Sequence, residues 1–143
     1  MRFMVIVKST PELEKAGPLT DRQFLADMGK YNEELIKAGN VLAMDGLHPS
    51  SKGARVKFSG KSRTVVDGPF TEAKELVAGF WIWQVKSLEE AIEWVKRCPH
   101  DADSEIEIRQ VGEMEDFAPI LSAEEIQYKI AKRAELPNQT ANR

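Results

Sequence analysis

The chain has 143 residues, 42% hydrophobic and 30% charged, with a formal net charge of −3. That length suits one domain with a single core, and the acidic balance argues against a nucleic-acid-binding face. The one cysteine, Cys98, excludes an internal disulfide framework or a multi-cysteine metal site, and His48 and His100 show no metal-ligand spacing. The opening MRFMVIVK is too short and too charged for a leader or a membrane span, so a cytoplasmic location with no membrane partner is expected.

Residues 2–8 are apolar on both faces and predict a buried strand. Pro11 and Gly17-Pro18 predict a loop. Thr20-x-x-Gln23 reads as a capping box opening a helix with Phe24, Met28, Tyr31 and Leu35 on its apolar stripe, stopped at Gly39. Residues 41–47 predict a second strand, ended by His48-Pro49 and the polar run 50–53. Residues 55–59 and 63–67 flank Gly60-Lys61 as a hairpin, with room for a bulge. Its basic residues Lys52, Arg55, Lys57, Lys61 and Arg63 read as a solvated face.

Asp67-Gly68-Pro69-Phe70 is a forced turn, followed by the charged cluster Glu72, Lys74 and Glu75. Residues 76–85 predict a strong strand holding Phe80, Trp81 and Trp83. Ser87-x-x-Glu90 opens a helix with Leu88, Ala91, Ile92 and Val95 on one stripe, and Pro99 stops it. After a loop at 100–104, residues 105–111 alternate as a half-exposed or edge strand. Ser122-x-x-Glu125 opens a last helix with a thin stripe of Ile126, Ile130 and Ala134; the polar tail from Leu136 is expected to fray.

The order strand–helix–strand, hairpin insert, strand–helix–strand predicts an α+β ferredoxin-like sandwich with an added C-terminal helix. The domain is expected over residues 1–120, with 121–143 as helix and tail. Helices cover one sheet face. The other needs cover, and either tryptophan of the 76–85 strand could face it. A second copy is the economical cover, so a homodimer is expected.

The chain resembles the YCII-related proteins, in particular the branch named for its DGPF motif, over residues 1–112. The carriers are Tyr31-Asn32-Glu33-Glu34-Leu35, Gly46-Leu47-His48-Pro49, Asp67-Gly68-Pro69-Phe70, Glu72, Lys74-Glu75, Glu90-Ala91, Cys98-Pro99 and Glu107-Ile108-Arg109. Ala73 stands where many relatives have threonine, which removes one hydroxyl. The resemblance implies a ferredoxin-like fold that pairs into a dimeric α/β barrel. It also implies an enzymatic role of the kind suggested for relatives with a His–Asp pair in a cleft.

Candidate catalytic residues are Asp67, held before the forced turn, and His48, a residue type suited to general acid or base work. Asp67 can equally cap its turn, and His48 can equally be a surface residue. Asp45 shares a strand face with Leu47, which does not favour a direct pair with His48. Glu72 and Lys74 are candidate substrate-binding groups, Lys74 for an anion; exposed ion pairs are the plain alternative. Tyr31 falls on a core stripe, but its hydroxyl could reach a cleft. Arg109 could clamp a carboxylate or simply be exposed. Cys98 reads as structural. Two functions stand: an acid–base enzyme for a small molecule, with no metal or organic cofactor, or a non-catalytic dimer that binds a ligand or protein.

Overall fold

The computed structural model describes residues 1–17, 21–71, 75–100 and 104–137. Strand β1 (Arg2–Ser9) leads to a short helix α1 (Pro11–Lys15), where Pro11 and Gly17-Pro18 predict a loop. Its signal is Thr10-Pro11: the Thr10 side chain accepts from the Leu13 N–H, and Pro11 occupies the first turn, where no amide is needed. Helix α2 (Arg22–Lys37) is capped by Asp21, whose carboxylate accepts from the Gln23 and Phe24 amides. The expected box from Thr20 lies partly outside the described residues, and the Gln23 amide is turned to Asp27 instead.

Strand β2 (Val41–Gly46) precedes a 3-10 turn (Ser50–Lys52) and the hairpin β3 (Ala54–Ser59) and β4 (Ser62–Asp67). The hairpin is tight and in regular register from Ala54↔Asp67 to Ser59↔Ser62, with no bulge. Strand β5 (Leu76–Gln84), helix α3 (Leu88–Lys96) and strand β6 (Ile106–Gln110) complete the second strand–helix–strand unit. Ser87 caps α3 by accepting from the Glu90 N–H, while the Glu90 carboxylate reaches back to the Lys86 N–H.

The four-stranded sheet runs β2-β5-β1-β6, so the two units interleave and β1 and β5 lie in its centre. This is the ferredoxin-like arrangement. Phe3 and Val5 of β1 pair with Trp83 and Trp81 of β5. These side chains pack with Tyr31 and Leu35 of α2, Ala91 of α3, and Val85. Both tryptophans therefore face the helices. Trp83 is 0% exposed, and its indole N–H has no hydrogen-bond partner. The Trp81 indole instead donates to Asn32 Oδ1 at 2.9 Å. The opposite face is carried not by tryptophan but by half-buried Met4, Ile6, Phe80 and Ile82.

Met1–Arg109 form one compact unit and Gln110–Arg143 a second. Within the second unit the 3-10 turn Met114–Phe117 packs with helix α4 (Ala123–Ala134). Ser122 and Glu125 form the expected reciprocal capping box of α4. The tail beyond Pro137 lies outside the described residues.

Candidate functional site

Gly46 pairs with Gly79, so the loop after β2 and the turn before β5 leave the same end of the sheet. A Cβ at Gly79 would lie 2.9 Å from the Asp45 carbonyl oxygen, so glycine permits this close pairing. Leu47 continues the contact through an N–H donated to the Ala78 carbonyl.

The two loops are locked to each other through Ser50. Its N–H and its hydroxyl both donate to the Glu14 carboxylate, at 3.0 and 2.6 Å. Its oxygen accepts from the Phe70 N–H at 3.0 Å. The Gly68 N–H donates to the Gly53 carbonyl at 3.0 Å. A Cβ at Gly68 would overlap the Ser50 carbonyl oxygen, so the turn seats only with glycine there. The Gly68–Pro69 peptide is cis. The Arg55 guanidinium lies 4.0 Å above the Phe70 ring and covers the turn from the hairpin side.

This lock places the expected catalytic pair on adjoining segments. His48 stands two positions before Ser50 and Asp67 one before Gly68, and both side chains are exposed. Glu72, Ala73 and Lys74 lie outside the described residues. Tyr31 and Arg109 are elsewhere. The Tyr31 hydroxyl is buried and donates to the Trp94 carbonyl at 2.6 Å, fixing α2 to α3; burial pushes its pKa up. Arg109 stands 73% exposed on β6, the edge strand opposite β2, 3.7 Å from Glu107. Cys98 is a packed thiol beside Met28, and burial pushes its pKa up to about 12.

Glu14, Ser50 and Arg55 are the residues the sequence reading missed. Glu14 is 36 positions from Ser50, and no periodicity links a five-residue helix to a distant serine. A second missed group is Lys8, which lies 3.3 Å from Glu75 and 3.6 Å from Glu107. Desolvation opposes its charge, but these carboxylates outweigh it and hold the ammonium above its ordinary pKa. Among the described residues, no group of three His, Cys, Asp or Glu side chains is placed to hold a metal ion. Among them, too, no helix is long and apolar enough to cross a membrane.

Fold and site together define a ferredoxin-like α+β protein whose two loops interlock at one end of the sheet. The chain belongs to the YCII-related domain family, whose model matches residues 1–115. It is similar to an uncharacterised protein of Rhizobium meliloti (strain 1021), 29% identical over 76 residues. The match covers 53% of this chain and 61% of that protein, so the chain spans less than two thirds of its relative.

Proposed function

We propose that the chain is a cofactor-free acid–base enzyme for a small polar or aromatic molecule, of the DGPF branch of its family, working as a cytoplasmic homodimer. The observation that carries this reading is the Glu14–Ser50–Phe70 lock, which fixes the segments bearing His48 and Asp67 against each other. His48 is the base that takes a proton from substrate; Asp67 is the acid that supplies one. A carboxyl donates near neutral pH only where water is kept from it, so substrate or a second copy must shield Asp67. Glu72 and Lys74 position the substrate. The half-buried apolar face of Met4, Ile6, Phe80 and Ile82 is the surface through which two sheets meet.

The test is a ligand-observed NMR screen of small carboxylic acids, phenols and keto acids at micromolar protein. Binders lost in both His48→Ala and Asp67→Asn, with melting unchanged, are expected. Binders retained in both variants would contradict the site. A single-chain mass in light scattering would contradict the dimer.

A second reading is favoured by the C-terminal unit, where Ile120 is 81% and Tyr128 64% exposed. In that reading the dimer is non-catalytic and holds a ligand or protein there. It predicts binders that survive both loop substitutions and are lost in Ile120→Ser.

A further inference from the structure

The β3–β4 hairpin forms a two-stranded sheet of its own, so each of its strands is also an edge. The Gly68 N–H donates to the Gly53 carbonyl, which makes Gly53–Gly68 a hydrogen-bonded position of the ladder. Such positions alternate along an antiparallel pair. In the register from Ala54↔Asp67 to Ser59↔Ser62, the bonded pairs are therefore Arg55↔Val66, Lys57↔Thr64 and Ser59↔Ser62. Ala54, Val56 and Phe58 of β3, and Arg63, Val65 and Asp67 of β4, turn their N–H and C=O groups outward. Among the described residues, none bonds to the outward groups of β4.

An open edge of this kind is a template for another strand, and charge decides which edge is usable. Two copies of β3 laid antiparallel about Val56 set Arg55 against Lys57 of the other copy on both sides of the axis. Cation directly opposite cation is destabilising, so β3 is protected. Two copies of β4 laid antiparallel about Val65 set Arg63 against Asp67 of the other copy on both sides of the axis. Val65, 63% exposed, then meets its own counterpart. The outward groups of Arg63, Val65 and Asp67 fall opposite one another, so one register satisfies both backbone and charge. Moving the axis to Arg63 or Asp67 sets like charges face to face. Moving it to Thr64 or Val66 carries Asp67 or Arg63 past the end of the strand. Arg63 can make the new contact: only its Nη1 is held, by the Gly60 and Ser62 carbonyls, among the described residues.

We infer that β4 is a self-pairing edge: two copies of the chain join through antiparallel β4 strands about Val65, with Arg63 of each facing Asp67 of the other. The contact uses none of Met4, Ile6, Phe80 and Ile82, so it is a second two-fold interface beside the proposed sheet-to-sheet dimer. It also bears on the acid–base reading. A guanidinium opposite Asp67 favours the carboxylate, so Asp67 supplies a proton only in a chain whose β4 edge is open.

Charge reversal tests the pairing by sedimentation velocity over a concentration series. Arg63→Asp sets carboxylate against carboxylate on both sides of the axis, and Asp67→Arg sets guanidinium against guanidinium. Each alone is expected to raise the Kd of this contact by about tenfold or more. An equal mixture of the two variants faces every carboxylate with a guanidinium, and should associate about as tightly as wild type. Mixing would not rescue a hairpin that either substitution had merely damaged. Val65→Pro removes an outward N–H and leaves the bonded pairs of the hairpin intact, so it should abolish the contact.

Association unchanged in all three variants overturns the edge pairing and leaves the sheet-to-sheet dimer standing. A wild type that is monomeric throughout overturns both. Charge variants that associate weakly alone and no better when mixed overturn the register about Val65.

Discussion

The helix-side core and the interlocked loops are ordered by different physics. In the core, Trp83, Phe3, Leu35 and Val5 are fully buried, and order comes from many weak contacts summed over large side chains. At the loops, order comes from one carboxylate, one hydroxyl and one backbone approach too close for a side chain. The core should therefore degrade in proportion to lost volume. The lock should fail in steps, atom by atom, and locally.

The largest effect is expected in the core. Trp83→Ala should cost about 3–5 kcal/mol, read as a lowered midpoint in urea unfolding. Trp83→Phe should cost clearly less, because the indole N–H it removes has no partner to lose. An Ala–Phe pair of equal cost would break the view that volume governs this face.

Gly68→Ala comes next. Its Cβ meets backbone, which cannot swing aside, so about 2–3 kcal/mol is expected. Ser50→Ala should cost about 1–3 kcal/mol, since it removes a charge-assisted bond and orphans the Phe70 amide. Tyr31→Phe sharpens the comparison from the core side. The Trp94 carbonyl keeps the Arg97 N–H as a second donor, so the loss should be only about 0.5–1.5 kcal/mol. Smallest of all, Phe58→Ser should change chain stability by no more than about 0.5 kcal/mol, because the ring is 72% exposed.

The alkaline limb separates the regions without mutation. Cys98 and Tyr31 both have folded pKa values raised by burial, Cys98 from 9.0 to about 12. The folded state then holds its protons longer than the unfolded one. Their contribution is fully present below about pH 9 and is lost as pH rises toward about 12. The melting temperature should fall between pH 9 and 11, and less steeply in Cys98→Ala.

The same contrast explains what was legible beforehand. The sheet strands, α2, α3 and α4 announce themselves through periodicity, caps and terminators, and Gly60-Lys61 announces the hairpin. The face chosen by Trp81 and Trp83 was not readable, because β5 is apolar on both sides and alternation alone cannot say which side meets helices. Asp67 and His48 are marked by local turn chemistry, and the link between their two segments follows only from contacts distant in sequence, such as Phe70 N–H to Ser50. Glu14 left no trace at all: a glutamate on a short exposed helix looks like solvation until Ser50 is folded against it.

The most direct measurement is native-state amide hydrogen exchange in wild type and Ser50→Ala. If Ser50 holds the DGPF turn, the Phe70 amide should exchange at least about tenfold faster in the variant, equivalent to about 1.4 kcal/mol. The amides of Val5 and Trp83 should slow or quicken no more than global stability dictates. A Phe70 amide that exchanges at the same rate in both proteins would contradict the lock, and with it the support for the proposed His48–Asp67 site.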